Sequence, residues 1–531
     1  MIQVKKHNQF NTATPYFKML KRDFPVLVFS LFILIGFFVF MRHAFRASIA
    51  IQEGITFSNI QQLNRTADEV FFGDELFEKE LQRRKLAEPD DSRELEVLIV
   101  TPSLGEGIIE EDLKSKEADY VQQQNKVIEE ELFEEEPNDS EALRELAQKS
   151  TLGERLKELL HCVDRPLKLE KIQYGKYWLV QNYIRGEVST WIGCADSITL
   201  TTNGDYTFFD SLPVLIERWQ APLSFALFAP GYDFDVTLSC IQFVRNCLPE
   251  SQYIRDYVTF HIYFPATDMP KYIPLTEEEA LRWPYDCDDV PPYENVNRTA
   301  MYKTRHNMTY PINVGRNIAR KAVNTHFIFA SDIELIPSPD LPRLFLEMVE
   351  RNRSVYLEAN PNRVFTIPVF EVTKESEVPE NKTYLVEMLR NKTAIHFHSN
   401  LCKLCHLVPM QSKWENASDA EELTLFSQTK REGNFKIWEP FYISDNHEPV
   451  FDERVTWEGQ SNKRIQGYAM CLLGYDYFVL HPAFLVHSPG IKYFVRNSPR
   501  LKYVPGTNRL IKNVIQPEYK ILYGINNKCR T

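Results

Sequence analysis

The sequence lacks the short motifs that mark the common nucleotide and zinc sites. Its 531 residues contain no GxGxxG fingerprint, no Walker-type phosphate loop, no zinc-finger spacing and no internal repeat. These absences exclude a P-loop nucleotide site, the usual dinucleotide fingerprint and a solenoid built from repeats. A ligand that carries phosphate groups would therefore need another kind of site.

Positive charge is also in short supply. Lys and Arg number 61 against 73 Asp and Glu, which gives a formal net charge of -12. This balance argues against non-specific binding to nucleic acid, which needs a basic surface. A sugar nucleotide would need local compensation by a metal ion or by arginine.

Cysteines and glycosylation sequons are, by contrast, plentiful. The chain has nine cysteines and eight Asn-x-Ser/Thr sequons, which begin at Asn64, Asn138, Asn297, Asn307, Asn352, Asn381, Asn391 and Asn416. Because all the sequons follow residue 60, they favour a lumenal or extracellular body in which disulfides form. The odd cysteine count leaves one cysteine unpaired or in an intermolecular bond, and the sequence leaves the connectivity open.

The N-terminal region is typical of a membrane signal anchor. Residues 1–23 are short and basic, and residues 24–42 are almost continuously apolar. Such a run is just long enough to cross a hydrocarbon core of about 30 Å. A cleaved signal peptide is the competing interpretation, but its apolar part would be shorter and would end at small residues. We therefore expect a cytoplasmic tail, a transmembrane helix and a type II topology.

Residues 43–165 are polar and acidic, and they include two runs of three glutamates. Such a composition buries too little apolar surface to form a core, so the segment is predicted to be a stem. Leucines within residues 140–160 have a partly helical spacing. This spacing fits either a helix that caps the next domain or self-association of the stem into a homo-oligomer.

Apolar runs alternate with helical patterns throughout residues 166–531. In chain order the pattern predicts strands at 197–202, 223–228, 258–264 and 327–337, and helices at 212–219, 236–247 and 313–322. Strands that alternate with helices predict an α/β fold with a parallel, doubly wound sheet.

The stretch at 327–337 combines an apolar run, two acids one residue apart and a proline at its exit. Asp332 and Glu334 would stand where this buried strand ends. Ligands of open α/β sheets bind at the carboxyl ends of strands, and two oxygen donors there suit a divalent cation and its phosphates. On the D-x-E spacing alone, two solvated acids at a strand end are the simpler interpretation.

Local motifs in a fixed order resemble glycosyltransferase family 49. They are Ile198-Thr199-Leu200-Thr201-Thr202, Trp219-x-Ala221-Pro222-Leu223-Ser224, Tyr310-Pro311-Ile312-Asn313-x-x-Arg316-Asn317, Ser331-Asp332-x-Glu334-x-x-Pro337, Trp438-Glu439-Pro440-Phe441-Tyr442, Phe451-Asp452-Glu453-Arg454 and Phe484-Leu485-Val486-His487. The resemblance implies a GT-A type fold, in which helices flank a Rossmann-like mixed sheet, over residues 166–531. It further implies a Golgi membrane enzyme that transfers glucuronic acid, with inversion, from a UDP donor to a xylose-ended glycan acceptor of O-mannosyl type.

The same resemblance assigns a metal site. Asp332 and Glu334 occupy the D-x-D positions that hold Mn²⁺ against the donor diphosphate, and His487 occupies a late histidine position. Mn²⁺ accepts carboxylate and imidazole ligands together. Glu334 departs from the family's second aspartate, which moves its carboxylate by about a bond length.

Further residues are candidates for binding the nucleotide or for taking a proton. The expected nucleotide contacts are Thr201, Thr202, Asn313, Arg316 and Asn317, although strand propensity and helix capping also explain these residue types. An inverting transfer needs a carboxylate that takes the proton of the acceptor hydroxyl. Asp452 and Glu453 are the candidates, and Glu458 is a weaker third.

Two remaining features bear on rival functions. The Cys402-x-x-Cys405-His406 motif has no second ligand pair, so structural disulfides, including ones to distant cysteines, are favoured over haem or zinc.

The alternative activity is a β-1,3-N-acetylglucosaminyltransferase acting on lactosamine chains. The alternative of a different class is a catalytically inactive, lectin-like or chaperone-like protein, which the replacement at Glu334 suggests.

Overall fold

The computed structural model describes residues 151–488, 490–493, 495 and 498–531. The predicted cytoplasmic tail, the transmembrane segment and residues 43–150 of the stem lie outside these described residues. Within the described residues, no helix is both long enough and apolar enough to cross a membrane.

The strands of the described region number fourteen. They are β1 Glu170–Tyr174, β2 Tyr177–Ile184, β3 Ile198–Gly204, β4 Leu223–Phe228, β5 Val258–Pro265, β6 Phe327–Ala330, β7 Leu335–Pro337, β8 Arg363–Ile367, β9 Val369–Val372, β10 Ala394–His396, β11 Thr424–Thr429, β12 Phe441–Ser444, β13 Asp476–His481 and β14 Leu485–His487.

The α-helices of the same region also number fourteen. They are α1 Leu152–Leu160, α2 Leu212–Trp219, α3 Asp233–Asn246, α4 Ser251–Tyr257, α5 Glu277–Ala280, α6 Tyr302–Arg305, α7 Ile312–Lys321, α8 Leu341–Arg351, α9 Arg353–Glu358, α10 Lys382–Arg390, α11 Gln411–Asn416, α12 Arg464–Leu472, α13 Val504–Leu510 and α14 Gln516–Tyr523.

Ten strands form one mixed sheet in the order β1-β2-β5-β4-β3-β6-β12-β8-β13-β11. The central strands β5, β4, β3 and β6 are parallel to one another, whereas β2 and β12 flank them in antiparallel pairs. Every residue of β3 and β4 is buried, as expected for strands covered on both faces. This large mixed sheet flanked by helices fits the GT-A type architecture. The predicted parallel pairing holds for its four central strands and for the pair of β8 and β13.

Residues 327–337 form two strands rather than the single predicted one. Strand β6 pairs with β3 in the large sheet, whereas β7 pairs with β14 in a second sheet of order β10-β9-β14-β7. The prediction of one continuous strand was wrong because an apolar run carries no signal for a change of sheet. The two acids therefore lie in the link between the two sheets.

Helix α1 belongs to the part of the chain that was predicted as stem. It buries Leu156 and Leu159 in the main core, and the disulfide between Cys162 and Cys194 ties the segment that follows it to the domain. In helix α1, the predicted leucine spacing therefore packs the helix against the domain, as one of the two interpretations expected.

All nine cysteines lie in the described region. Four disulfides pair Cys162–Cys194, Cys247–Cys287, Cys402–Cys405 and Cys471–Cys529, and Cys240 is free and buried. The two cysteines of the C-x-x-C motif thus pair with each other rather than with distant cysteines. Their bond closes a tight loop that leads into His406.

Candidate active site

The link between β6 and β7 lies at the carboxyl edge of the parallel strands. The backbone N–H of Ser331 donates to the Thr201 carbonyl at 3.1 Å, and that of Leu335 donates to the Asp332 carbonyl at 3.0 Å. Ile333 is 2% exposed and anchors the turn. The side chains of Asp332 and Glu334 on either side of this anchor are 35% and 28% exposed.

Asp332 lies between two cations. The Arg316 guanidinium donates to Oδ1 at 2.9 Å, and Lys463 Nζ donates to Oδ2 at 2.7 Å. Burial raises the pKa of this carboxyl, but Lys463 and Arg316 together outweigh burial and hold the pKa well below its ordinary value. The aspartate is therefore ionised and ready to bind cations.

Helix α7 supplies the first of these cations. Arg316 also donates to the side-chain oxygens of Asn313 at 3.1 Å and Asn462 at 2.7 Å. Gly315 lets the helix approach strand β3 closely, since a Cβ there would lie 2.9 Å from the Asn203 Cβ. The predicted helix thus delivers Asn313 and Arg316 to the edge where Asp332 stands.

Glu334 meets His487 from the second sheet. The pairing of β7 with β14 sets His487 opposite Leu335, and its Nε2 lies 3.6 Å from Glu334 Oε2. Its Nδ1 lies 3.0 Å from the Gly490 carbonyl, which can only accept, so Nδ1 carries the proton. Lys492 Nζ also donates to Glu334 Oε2, at 3.2 Å.

The other predicted nucleotide residues are buried. Thr201 is 3% exposed and Thr202 is fully buried within β3. The side chain of Asn317 exchanges hydrogen bonds with the backbone of Phe451, at 2.8 and 2.9 Å. Asn317 thus holds the loop that carries the predicted bases.

The structure gives both predicted bases other partners. Asp452 accepts from Arg454 at 3.0 and 2.7 Å and from the Tyr519 hydroxyl at 3.2 Å. Glu453 accepts from the Tyr174 hydroxyl at 2.6 Å and from Asn317 at 2.8 Å. Within the described residues, neither carboxylate bonds to a side chain that contacts Asp332 or Glu334. The weaker candidate, Glu458, accepts from the Tyr310 backbone N–H.

Comparison with known proteins decides the family. The model of a family described as "Glycosyl-transferase for dystroglycan" matches residues 197–524, well over half of the chain. This chain belongs to that family. It is a glycosyltransferase by descent, and the two acids lie within the matched range.

Glucuronyltransferases are among the similar proteins. The chain is 27% identical over 331 residues to "Beta-1,4-glucuronyltransferase 1" of Danio rerio, which covers 59% of this chain and 72% of the relative. It is 26% identical over 333 residues to the human protein of that name, which covers 62% and 76%. It is 27% identical over 220 residues to "Xylosyl- and glucuronyltransferase LARGE1" of Mus musculus, which covers 40% and 27%.

Glu334 and His487 are side chains whose ligand atoms suit the expected Mn²⁺. His487 is 1% exposed, and its Nε2 has no hydrogen-bond partner within the described region. An imidazole whose Nε2 is free beside a carboxylate is the kind of ligand pair that Mn²⁺ takes. The described residues contain no group of three or more His, Cys, Asp or Glu placed to hold a metal ion. Asp332 instead has a cation on each oxygen.

Sequence reasoning missed Lys463 and Lys492. Each lysine contacts one of the two acids, although it lies more than 130 positions away in the chain. An isolated lysine in a polar loop has no spacing signal that distinguishes it from a solvated one. The pairs are made only by the fold.

Sequence reasoning also did not connect Phe397, His398 and His406 with the surroundings of His487. The ring centroids of His398 and His406 lie 3.8 and 4.8 Å from that of Phe397, which lies 5.7 Å from that of His487. Burial lowers the pKa of His406 to about 3, and its ring hydrogen-bonds to the Glu439 carbonyl. The C-x-x-C-H motif therefore places a neutral histidine against Phe397, which in turn packs against His487.

Proposed function

We propose that this glycosyltransferase transfers glucuronic acid from a UDP donor to a glycan acceptor that ends in xylose, of O-mannosyl type, with inversion and with Mn²⁺. Family membership and the names of the glucuronyltransferase relatives support this proposal. The observation that carries it is the position of the Asp332 and Glu334 groups at the carboxyl edge of the parallel strands. Donor nucleotides bind at this edge in open α/β sheets.

The residues of the site have separate roles in this proposal. Arg316 binds the donor diphosphate with its forked guanidinium, and Asn313 and Asn462 keep that side chain in place. Glu334 and His487, with Asp332, would hold the Mn²⁺. When bound, this ion neutralises the charge that develops on the UDP leaving group.

The proton acceptor stays a prediction. The acceptor hydroxyl must lose its proton to a carboxylate as its oxygen attacks the anomeric carbon. Asp452 and Glu453 are the residues predicted for this role, and their present partners are Arg454 and Tyr519 for the first and Tyr174 and Asn317 for the second. For Asp452 to act, an acceptor would have to displace one of its contacts, which engage both carboxylate oxygens. Glu453 is exposed, and both of its contacts fall on Oε1.

The proposed location is the Golgi membrane, with the catalytic domain in the lumen. The predicted anchor at 24–42 would hold the chain there. Five sequon asparagines of the described region are exposed, which supports a lumenal face that carries glycans. They are Asn297, Asn307, Asn381, Asn391 and Asn416.

A donor and acceptor panel tests the activity. The full-length chain in detergent is incubated with UDP-glucuronic acid, UDP-N-acetylglucosamine and UDP-xylose, each with a xylose-ended or a lactosamine acceptor, in Mn²⁺ or in chelator. We expect glucuronic acid on the xylose-ended acceptor only, in β-linkage by NMR. Transfer of N-acetylglucosamine to lactosamine would replace this activity with the other one. Absence of transfer and of donor hydrolysis would favour the inactive, binding protein.

A further inference from the structure

The two acids of the site face an excess of positive charge. Three cations contact them, namely Arg316 and Lys463 at Asp332 and Lys492 at Glu334. Three positive and two negative charges leave the group at +1 before any metal ion or nucleotide binds. A divalent cation alone would enter against this charge, whereas an anion would enter with it.

Lys463 is held in place rather than extended into solvent. Its side chain is 15% exposed, and its Nζ lies 3.5 Å from the ring centroid of Phe441. The preceding residue, Asn462, binds Arg316 at 2.7 Å. Lys463 also stands directly before helix α12, whose N-terminal end adds partial positive charge.

The ammonium of Lys463 has donors to spare. A lysine carries three N–H donors, and Asp332 Oδ2 is the one hydrogen-bond acceptor of Lys463 Nζ among the described residues. The Asp332 side chain is 35% exposed. A ligand in the site can therefore reach both partners.

A structural ion pair of this protein looks different. Arg320 and Glu448 lie 2.7 Å apart with side chains that are 3% and 1% exposed, and Arg320 uses its remaining donors on Asn446 and on the carbonyls of Glu448 and Pro449. The side chains of this closed pair are almost inaccessible, so a ligand cannot reach them. By contrast, the pair of Lys463 and Asp332 is open: Asp332 is accessible to a ligand, and Lys463 has N–H donors without an acceptor among the described residues.

We propose that Lys463 is a diphosphate-binding residue of the donor site, which rests on Asp332 Oδ2 until the nucleotide arrives and then turns to a phosphate oxygen. This inference rests on the proposed function, since it names a ligand contact of that same site. A compact ammonium is a suitable partner for phosphate. Its departure frees the Asp332 oxygen for a metal ion.

The proposal has a thermodynamic consequence. Without nucleotide, Lys463 and a divalent ion compete for Asp332, so the ion binds weakly. With UDP bound, the lysine is engaged elsewhere and the ion binds tightly. Because binding linkage is reciprocal, Mn²⁺ and UDP must strengthen each other by the same factor.

Two titrations test the role. Calorimetry measures UDP affinity of the full-length chain in chelator and in Mn²⁺, and electron paramagnetic resonance measures free Mn²⁺ without nucleotide. The variants are Lys463→Met and Lys463→Gln. The matched control is Lys430→Met, which breaks a lysine pair with Asp476 of 2.9 Å outside the site. Thermal unfolding shows that each variant is folded, and either Lys463 variant suffices.

We expect Lys463→Met to weaken UDP binding in chelator roughly tenfold or more, as for loss of a charge-assisted hydrogen bond. The same variant should bind Mn²⁺ more tightly than the wild type when nucleotide is absent, and Lys430→Met should match the wild type in both titrations. If the wild type binds UDP only when Mn²⁺ is present, we expect Lys463→Met to lose roughly tenfold in UDP affinity in the presence of Mn²⁺.

Unchanged UDP affinity in folded Lys463 variants would overturn this inference and leave the proposed function standing. Unchanged or weaker Mn²⁺ binding by those variants would overturn the competition at Asp332. A wild-type chain that binds no UDP in either condition would overturn the proposed function together with the inference.

Discussion

Helix α7 carries two arginines one turn apart whose ion pairs differ in kind. Arg316 and Arg320 both lie over the ring of Phe451, at 5.2 and 5.7 Å. Arg316 pairs with Asp332, which is 35% exposed, whereas Arg320 pairs with Glu448, which is 1% exposed. The same residue type on one helix face thus lies at the candidate site at one turn and in the core at the next. The exposure of the acid partner distinguishes the two.

Breaking the closed pair should have the largest effect. Arg320→Met leaves Glu448 buried and unpaired, so we expect the free energy of unfolding to fall by about 3–5 kcal/mol. Denaturant unfolding followed by circular dichroism measures the loss. Arg343→Met is the control, because Arg343 is 57% exposed in its pairs and should cost about 1 kcal/mol or less. A loss for Arg320→Met no larger than that of the control would remove the distinction between the pairs.

Breaking the open pair should affect activity more than stability. Asp332→Asn removes the carboxylate on which Arg316 and Lys463 converge, and we expect transfer to fall by about 10²–10³. Asp332 is 35% exposed, so water can reach its place, but Arg316 and Lys463 lose their counter-charge. We therefore expect a loss of unfolding free energy that is smaller than that of Arg320→Met. Transfer to the xylose-ended acceptor and thermal unfolding measure the two effects. Asp340→Asn, at an exposed acid that pairs with Arg343, should leave transfer unchanged, and equal losses in both variants would contradict the assignment.

A buried histidine beneath helix α7 should make stability depend on pH. Ser224 Oγ donates to the Ala319 carbonyl of the helix and lies 2.8 Å from His261 Nε2, while the Asn182 N–H donates to Nδ1 at 2.8 Å. Burial lowers the pKa of His261 to about 3, below an unfolded value of about 6.5. The unfolded chain therefore binds the proton more readily, and the stability from His261 is present above pH 6.5 and is lost as pH falls toward 3.

Between pH 7 and pH 5, His261 alone should lower the free energy of unfolding by about 2 kcal/mol. Denaturant midpoints across that interval measure the slope. His261→Gln should flatten the slope by about this amount, whereas His447→Gln, at a side chain that is 76% exposed, should leave it unchanged. If the pH dependence of the free energy of unfolding is the same in His261→Gln as in the wild type, another group is responsible for it.

The smallest expected effect concerns the metal ion at the second acid. His487→Ala removes the imidazole whose Nε2 faces Glu334 at 3.6 Å. We expect the Mn²⁺ concentration for half-maximal transfer to rise roughly tenfold or more, with little change at saturating Mn²⁺. His447→Ala serves as the exposed control. If the Mn²⁺ dependence of His487→Ala equals that of the wild type, His487 is not a ligand.

Much of the fold could be predicted because its elements are local. The helix at Leu212–Trp219 and the strand at Leu223–Phe228 have the predicted bounds, since apolar periodicity and turn residues specify them within a few positions. The change of sheet after Ala330 could not be predicted, because β7 finds its partner β14 about 150 residues later. The mutual pairing of Cys402 and Cys405 was likewise open, since spacing does not determine connectivity.

The candidate site divides in the same way. The acids at 332 and 334, the helix residues Asn313 and Arg316, and His487 could be named from motifs, and the structure gathers Arg316 with Asp332 and His487 with Glu334. The same kind of motif placed Asp452 among the bases, although its carboxylate holds Arg454 and Tyr519. Motifs identify positions, but not what each side chain contacts.

The sequence by itself determined the family, the α/β pattern and the two acids after a buried strand, because each is written in neighbouring residues. Only the tertiary structure decided that Lys463 and Lys492 pair with those acids, and that Arg316 faces the candidate site while Arg320 faces the core. The two lysine contacts and the pair of Arg320 with Glu448 join residues that are more than a hundred positions apart. Arg316 and Asp332 are closer in the chain, 16 positions apart, but lie on different elements. The charge balance of the site is therefore a property of the assembled sheets and not of any segment.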